Sequence, residues 1–461
     1  MPKYSYGPLN KAFGPELRLL RISKDPRTHQ PQCSLLDYEL LHCPNFIALS
    51  YTWGDPTPTH KIAVDREDLE VRQNLFDFLH AYTTEPWGMS GTGKPSFYWI
   101  DQICINQDDP IERSDQVRIM DKIYKKAKMV LIWLGCDSTM IEAARQLRDV
   151  EDDQRGAITT LLAHPYFSRI WVVQEIALSV SSPRVVCGGI ELDLYQVRLA
   201  GVNPRSLPAS AWATICGHGR FRKRRTLREC ILLHCGSTCT DPRDKVYALL
   251  GLTPERWRVR VDYTKEVLEV YFDAVAALYE ELFDLTDPEC LYPKHLRDLA
   301  SPRSYCTTLL FLGEAMGLPE RSLPGLDTFL RYCLDVYLST KIRNVQYTYS
   351  DRIYIRVRAQ SSTGQFLAGK EIEVSWGSIK ATRRKPLMRD IIPEMGLQLA
   401  NATAASTAGQ SGDSVPVLDR WWCKHDGDIH YFDGSDVSPI SFSARPDSEQ
   451  RQEVLHRRLI G

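Results

Sequence analysis

Trp171 and Glu175 stand four residues apart in the segment Arg169-Ile-Trp-Val-Val-Gln-Glu175. On a helix that spacing puts an aromatic ring and a carboxylate on one face. A carboxylate beside an aromatic plate suits cleavage of a glycosidic bond whose leaving group needs no proton. The catalyst's work is then to stabilise an oxocarbenium-like cation, which one well-placed carboxylate can do. In this reading Glu175 is the catalytic group and Trp171 a stacking surface. Three further polar clusters follow candidate strand ends: Trp53-Gly54-Asp55, Asp101-Gln102 and Gly135-Cys136-Asp137. Ligands of open α/β sheets bind beyond the carboxyl ends of the strands, so Trp53, Asp55 and Asp101 join the candidates, the two aspartates as acceptors for sugar hydroxyls. Each residue also has a plain structural alternative. Glu175 could be a solvated or ion-paired helix residue, Trp171 a core ring, Asp101 a cap and Asp55 a turn former.

The elements that must position these groups are legible as patterns. Phe46–Trp53 reads as a buried strand, and 61–65 as a short one. Val71, Leu75, Phe78, Leu79 and Tyr82 recur at helical spacing. Residues 97–103 read as a strand. Asp109-Pro110-Ile111-Glu112 then opens a helix, with Asp109 as N-cap, Pro110 at the first position and Glu112 completing a capping box. Val117, Met120, Ile123, Tyr124 and Ala127 lie on one face of that helix, and Lys125, Lys126 and Lys128 near its end suit the helix dipole. Met129–Leu134 is a continuous apolar run, expected for a strand buried on both faces. A charged helix follows over 138–153, a short helix over 169–179 and a short strand over Arg184–Cys187. Strand and helix alternate, which predicts an α/β domain with a mainly parallel sheet flanked by helices. Beyond about residue 195 the pattern turns helical, and 345–377 has β character with Arg352–Val357 alternating.

Composition sets limits. With 461 residues, 43% of them hydrophobic and 25% charged, the chain can bury a sizeable core. The net charge of -1 gives no global attraction to nucleic acid or to an anionic membrane surface. The opening residues lack an apolar signal region, and no stretch reaches the roughly 18 apolar residues of a spanning helix. The 13 cysteines are odd in number and irregular in spacing, as expected of reduced thiols rather than a disulfide framework. The expected setting is cytoplasmic, with no membrane partner.

Three ordered blocks resemble the fungal heterokaryon-incompatibility (HET) domain: Phe46-Ile-Ala-Leu-Ser-Tyr-Thr-Trp-Gly-Asp55, Trp99-Ile-Asp-Gln-Ile-Cys-Ile-Asn-Gln107 running on to Trp133-Leu-Gly135, and Arg169–Glu175. Asp241-Pro-Arg-Asp-Lys-Val-Tyr-Ala-Leu-Leu-Gly-Leu252 resembles a segment that commonly follows that domain. The resemblance is strong over 46–177 and extends to about 252. It implies a role in fungal non-self recognition and regulated cell death. The HET domain is in turn remotely similar to TIR domains, where a strand ending in Ser-Tyr opens the fold and a helix bearing Trp and Glu carries the catalytic glutamate of enzymatic members. Ser50-Tyr51 and Trp171…Glu175 match that layout. The resemblance thus implies a TIR-like, flavodoxin-like fold, NAD as substrate rather than cofactor, and cleavage of its nicotinamide–ribose bond. Glu175 would be catalytic, with Trp171, Asp101, Asp55, Trp53, Ser50 and Arg169 binding substrate. The other reading left open is a non-enzymatic module that self-associates or binds a protein partner.

Four regions are expected: an N-terminal extension over 1–45 that packs a strand on the domain, the HET domain over 46–195, a helical extension over 196–285, and an α+β region over 286–461. Other motifs carry less. Gly88–Lys94 echoes a phosphate loop but has Pro95 where Ser or Thr belongs, and it lies between a helix and a strand in the wrong order. Cys216, His218, Cys230, His234, Cys235 and Cys239 are zinc-ligand types without a CxxC pair, so no metal is expected. The basic run Arg220–Arg225 leaves a nuclear location open, though a solvated helix start explains it better. Arg243 is expected to tie its loop by ion pairs, with Asp241 as cap, and 401–416 reads as a flexible linker.

Overall fold

A computed structural model of the chain describes residues 2–10, 14–84, 97–149, 154–194, 225–286, 302–318, 352–360, 370–375, 397, 415–425 and 428–433. The phosphate-loop-like segment 88–94, Cys216, His218, Arg220–Arg224 and residues 401–414 lie outside the described residues.

A nine-stranded sheet forms the first body, in the order β5-β4-β2-β1-β6-β3-β7-β8-β9. These strands are β1 (Glu16–Lys24), β2 (Pro31–Glu39), β3 (Ile47–Tyr51), β4 (Thr59–Val64), β5 (Glu67–Arg72), β6 (Tyr98–Trp99), β7 (Met129–Trp133), β8 (Arg184–Cys187) and β9 (Ile190–Asp193). The central strands β6-β3-β7-β8 are mutually parallel. The flanks are mixed: β1 pairs antiparallel with both β2 and β6, β4 with β5, and β8 with β9, whereas β2 and β4 are parallel. The expectation of a mainly parallel sheet therefore describes the centre, and antiparallel neighbours extend it. All five residues of β3 are buried, as a strand covered on both faces requires. Residues 16–39, before the first resembling block, supply two full strands to the same sheet.

Along the chain, β3 leads through the β4–β5 hairpin and helix α1 (Gln73–Thr84) to β6 on one side. Helices α2 (Asp101–Cys104) and α3 (Pro110–Lys126) then carry the chain back across to β7 on the other side. The winding reverses between β3 and β7. At that point Asn74 Nδ2 donates to Thr52 O (2.7 Å) and Trp133 Nε1 donates to Asn74 Oδ1 (3.0 Å). Gly54 (φ +72°) and Gly135 (φ +88°) flank Asn74 in left-handed conformations that a side chain would strain.

Two local expectations change. The segment 97–103 is a two-residue strand followed at once by α2, so Asp101 opens a helix rather than ending a strand. The capping box is half formed: Asp109 caps Ile111 N and Glu112 N, but Glu112 is drawn instead to Asn106 N and Arg18. Arg18, on β1, is buried and also donates to Cys104 O and Gly7 O, so its pull on Glu112 wins.

Helices α4 (Ser138–Arg148), α5 (Gln154–Leu162) and α6 (Ile170–Ala177) connect β7 to β8. A second core belongs to the extension: α7 (Leu227–His234), α8 (Asp244–Tyr247), α9 (Val267–Thr286) and α10 (Pro302–Ala315). Further along, β10 (Arg352–Gln360), β11 (Lys370–Ser375), β12 (Val415–His425) and β13 (Asp428–Asp433) form an antiparallel sheet in the order β11-β10-β12-β13. Among the described residues no helix is long and apolar enough to cross a membrane.

Candidate functional site

Helix α6 is built from Ile-Trp-Val-Val-Gln-Glu-Ile-Ala, rich in β-branched residues that are poor helix formers. Eight such residues do not make a stable helix alone, so packing must hold it. It is apolar nearly all round, which marks a helix buried on several sides. Val172 and Ile176 pack into the sheet's core, Ile170 and Val173 into the extension's core, and Trp171 and Leu178 touch both. Glu175 is carried into the interior by this arrangement and is only 3% exposed. That overturns the alternative of a solvated helix residue.

The carboxylate is met by hydroxyls. Ser50 Oγ, from β3, donates to Glu175 Oε2. Because Ser50 has one proton and gives it to Glu175, the Tyr166 hydroxyl must be the donor in its 2.6 Å bond to Ser50. Tyr124, from α3, stands beside the same carboxyl and favours its ionised form. The result is a chain from Tyr166 through Ser50 to Glu175, with Tyr124 beside it. Burial drives the phenols of Tyr124 and Tyr166 well above the ordinary tyrosine range, so both stay protonated and remain donors.

Burial also raises the Glu175 carboxyl to about 7. The charge of Arg169, the hydrogen bond from Ser50 and the nearby Tyr124 hydroxyl favour its ionised form, while Asp101 opposes it. A carboxyl poised near neutrality can be either protonated or ionised under ordinary conditions, which is what acid–base or charge-stabilising chemistry requires.

A second carboxylate lies beside the first. Asp101, at the start of α2, accepts from Trp53 Nε1 (2.8 Å) and from Gln102 N (2.8 Å). Burial raises its pKa and the Arg169 charge lowers it. Arg169, which precedes α6, donates to Tyr51 O and acts on both carboxyls, which couples the ends of β3, β6 and α6. Trp53 stacks under the Arg72 guanidinium (5.1 Å) and remains half-buried, one ring beside the strand ends.

The structure thus brings together Ser50, Trp53, Asp101, Arg169 and Glu175. It does not bring in the other two candidates. Trp171 turns its indole to the extension, where Nε1 donates to Asp244 Oδ2 (2.9 Å), and does not form a plate beside Glu175. The i, i+4 spacing sets only an approximate direction, and the two cores on opposite sides of α6 split the pair. Asp55 stands exposed in the loop after β3, outside the cluster. Tyr166 is a residue that sequence reasoning missed. Tyr166 lies in a short 3-10 turn, Pro165–Ser168, where periodicity gives no signal. The usable clue is indirect: a glutamate inside an apolar helix needs hydroxyl or cationic partners from elsewhere.

The cysteine–histidine cluster has a different fate. Burial pushes the Cys235 thiol up to about 12 and the Cys239 thiol up to about 11, and holds the His234 imidazole neutral by lowering it to about 3. Protonated buried thiols pack as small hydrophobes. Among the described residues no group of three metal-ligating side chains could hold an ion. Arg243 does tie its loop, bonding Asp241 (2.8 Å), Tyr263 O (2.8 Å) and Lys265 O (2.7 Å).

Comparison with known proteins agrees with the blocks from which this site is made. Residues 46–175 match the family model described as Heterokaryon incompatibility protein (HET). The chain is also similar to "Heterokaryon incompatibility protein 6, OR allele" of Neurospora crassa. The two are 40% identical over 316 residues, an alignment covering 48% of this chain and 45% of that protein. The chain therefore spans about half the length of this curated relative. No solved structure matches.

Proposed function

From the premise that residues 46–175 are a heterokaryon-incompatibility domain, we propose that this protein acts in fungal non-self recognition by hydrolysing the nicotinamide–ribose bond of NAD at Glu175, in the manner of an enzymatic TIR-like domain, with cell death as the outcome. The observation that carries the reading is the Glu175 carboxyl itself, buried, held by Ser50 and raised to about 7. In its ionised form it supplies one fixed negative charge to a ribosyl cation, while nicotinamide departs without needing a proton. Asp101 accepts from ribose hydroxyls. Trp53, rather than Trp171, offers the ring on which a base stacks. The order β6-β3-β7-β8 is second, first, third and fourth in the parallel series, the order of flavodoxin-like sheets, and it puts the reversal between β3 and β7 where such sheets bind ligands. No metal or cofactor takes part.

The enclosure of Glu175, 3% exposed, favours a second reading: a domain that signals by self-association or by binding a protein partner, with Glu175 structural. One experiment separates the two. Purified protein is incubated with NAD at high protein concentration, beside Glu175→Gln. Nicotinamide released by the wild type and lost in a folded variant supports hydrolysis. No release from assembled wild-type protein supports the interaction module.

A further inference from the structure

Helix α6 carries Glu175 on one side and is gripped on the other by residues outside the family match. Trp171 Nε1 donates to Asp244 Oδ2 (2.9 Å), and the Tyr263 hydroxyl donates to Asp244 Oδ1 (2.6 Å). Asp244 is 5% exposed, so its carboxylate spends both oxygens on these two donors in a dry setting. At the entrance of the helix, Ile170 N donates to Thr238 O (2.9 Å) and Thr238 N donates to Ser168 O (2.7 Å), a one-residue β-bridge between Arg169 and Thr238 of the extension. Near its end, Gly251 sits so close to Gln174 that an added Cβ would lie 2.5 Å from Gln174 Oε1 and 2.8 Å from Asp121 Cβ. The extension thus meets α6 at its start, middle and end.

The loop holding Asp244 is itself fixed to α3, which supplies Tyr124. Arg113 lies over the Tyr263 ring (3.7 Å) and reaches Asp241 (3.5 Å), and Tyr263 N donates to Ser114 Oγ (2.9 Å). Arg258 bridges to Asp121 (3.2 Å). Because α6 has weak intrinsic helix preference, these grips rather than its own sequence set where its side chains lie.

We propose that Asp244 is the positioning residue through which the extension sets helix α6, so that the Glu175 site is assembled only while the extension is docked. This deepens the hydrolase reading and rests on it for its consequence in activity; the positioning itself does not depend on NAD. Separation of the Asp244 loop from Trp171 would free α6 to shift, loosen the Ser50 bond to Glu175 and admit water beside the carboxyl. A partner that pulls on the extension would in this way switch the site.

The test is a two-part measurement on the full chain with Asp244→Asn, whose single carbonyl can accept from only one of the two donors while its amide faces the other. Tyr263→Phe, which removes one donor and keeps the ring, carries the same measurements if Asp244→Asn does not fold. The first part reads nicotinamide release from NAD. The expected result is a kcat lower by about tenfold to a hundredfold with KM little changed, as for a displaced catalytic group. The second part reads no hydrolysis at all. It compares the pH-dependent gain in thermal stability from Glu175→Gln in the wild-type and Asp244→Asn backgrounds. If Asp244 positions Glu175, that gain falls to about half or less in the Asp244→Asn background, because a carboxyl exposed to water no longer needs relief. An unchanged gain, with Asp244→Asn merely less stable, overturns the positioning role. Absence of NAD cleavage in the wild type with a reduced gain removes the proposed activity and leaves the positioning role standing.

Discussion

Replacing Glu175 by Gln should stabilise the protein in alkaline solution and do so much less in acid. The carboxyl rises from an ordinary 4.5 to about 7 on folding, because burial disfavours its charge more than Arg169, Ser50 and Tyr124 favour it. Between those two values the folded state binds more protons than the unfolded state, so stability falls as pH rises through that window. The penalty is absent well below the unfolded value and fully present above the folded one. A shift of this size corresponds to about 3 kcal/mol at 1.36 kcal/mol per unit, of which about 2.5 kcal/mol accrues between about pH 5 and about pH 8. Gln has nearly the same shape, its carbonyl oxygen can accept from Ser50, and it never ionises.

Thermal unfolding of wild type and Glu175→Gln across that range measures the effect. At roughly 2–4 °C per kcal/mol for a domain of this size, the difference in Tm should widen in favour of the variant by roughly 5–10 °C from acid to alkaline conditions. Asp244 has its own carboxyl raised to about 6 by burial and also makes the wild type pH-sensitive, but it is present in both proteins and cancels in the difference. Parallel curves, with a constant offset at every pH, would refute the reasoning, because they would mean that Glu175 does not titrate in this window.

Other outcomes follow from the same geometry. Nicotinamide release, which needs the ionised form of Glu175, should rise with pH up to about 7 and level off above it, and a profile flat across that region would count against a carboxylate role. Arg18→Leu leaves the Glu112 carboxylate without its buried partner at 2.5 Å and should lower stability by about 3–5 kcal/mol in a urea titration; a change within 1 kcal/mol or so would show that water replaces the guanidinium. Gly251→Ala puts a methyl group 2.8 Å from Asp121 Cβ and should lower stability by about 1–3 kcal/mol, whereas an unchanged midpoint would mean the extension docks more loosely than described.

How much of this was legible depended on whether the signal was local. The buried run Met129–Leu134, the Asp109 cap and the short helix over 169–179 are written in neighbouring residues, and β7, α3 and α6 lie there. Glu175, Ser50, Asp101, Trp53 and Arg169 stand in the three ordered blocks or at strand ends, and they meet in space. What failed were assignments decided by distant parts of the chain. Trp171 was drawn away by Asp244, 73 residues on, and Glu112 was drawn from its capping box by Arg18, 94 residues back. The two strands before residue 46 extend the sheet by pairing that a pattern of alternation alone does not specify. Tyr166 reaches Ser50 across 116 residues from a turn without periodicity.

The energetics of Glu175 also bear on the choice between its two roles. If the side chain only filled space and accepted the Ser50 hydrogen bond, an amide oxygen could accept in the same place without ionising, but it would bring two N–H donors that need acceptors there. A carboxyl there makes the fold weaker by about 3 kcal/mol once it is ionised, in a helix whose sequence already contributes little to its own formation. Hydroxyls aimed at the carboxylate and a guanidinium beside it reduce that penalty without removing it. Such an arrangement has no advantage for packing. It has one for chemistry, where a charge held in a dry, fixed setting acts more strongly on a developing cation than the same charge in water. The two readings therefore part on measurement: the pH dependence of the stability gained in Glu175→Gln reports the buried charge, and nicotinamide release reports its use.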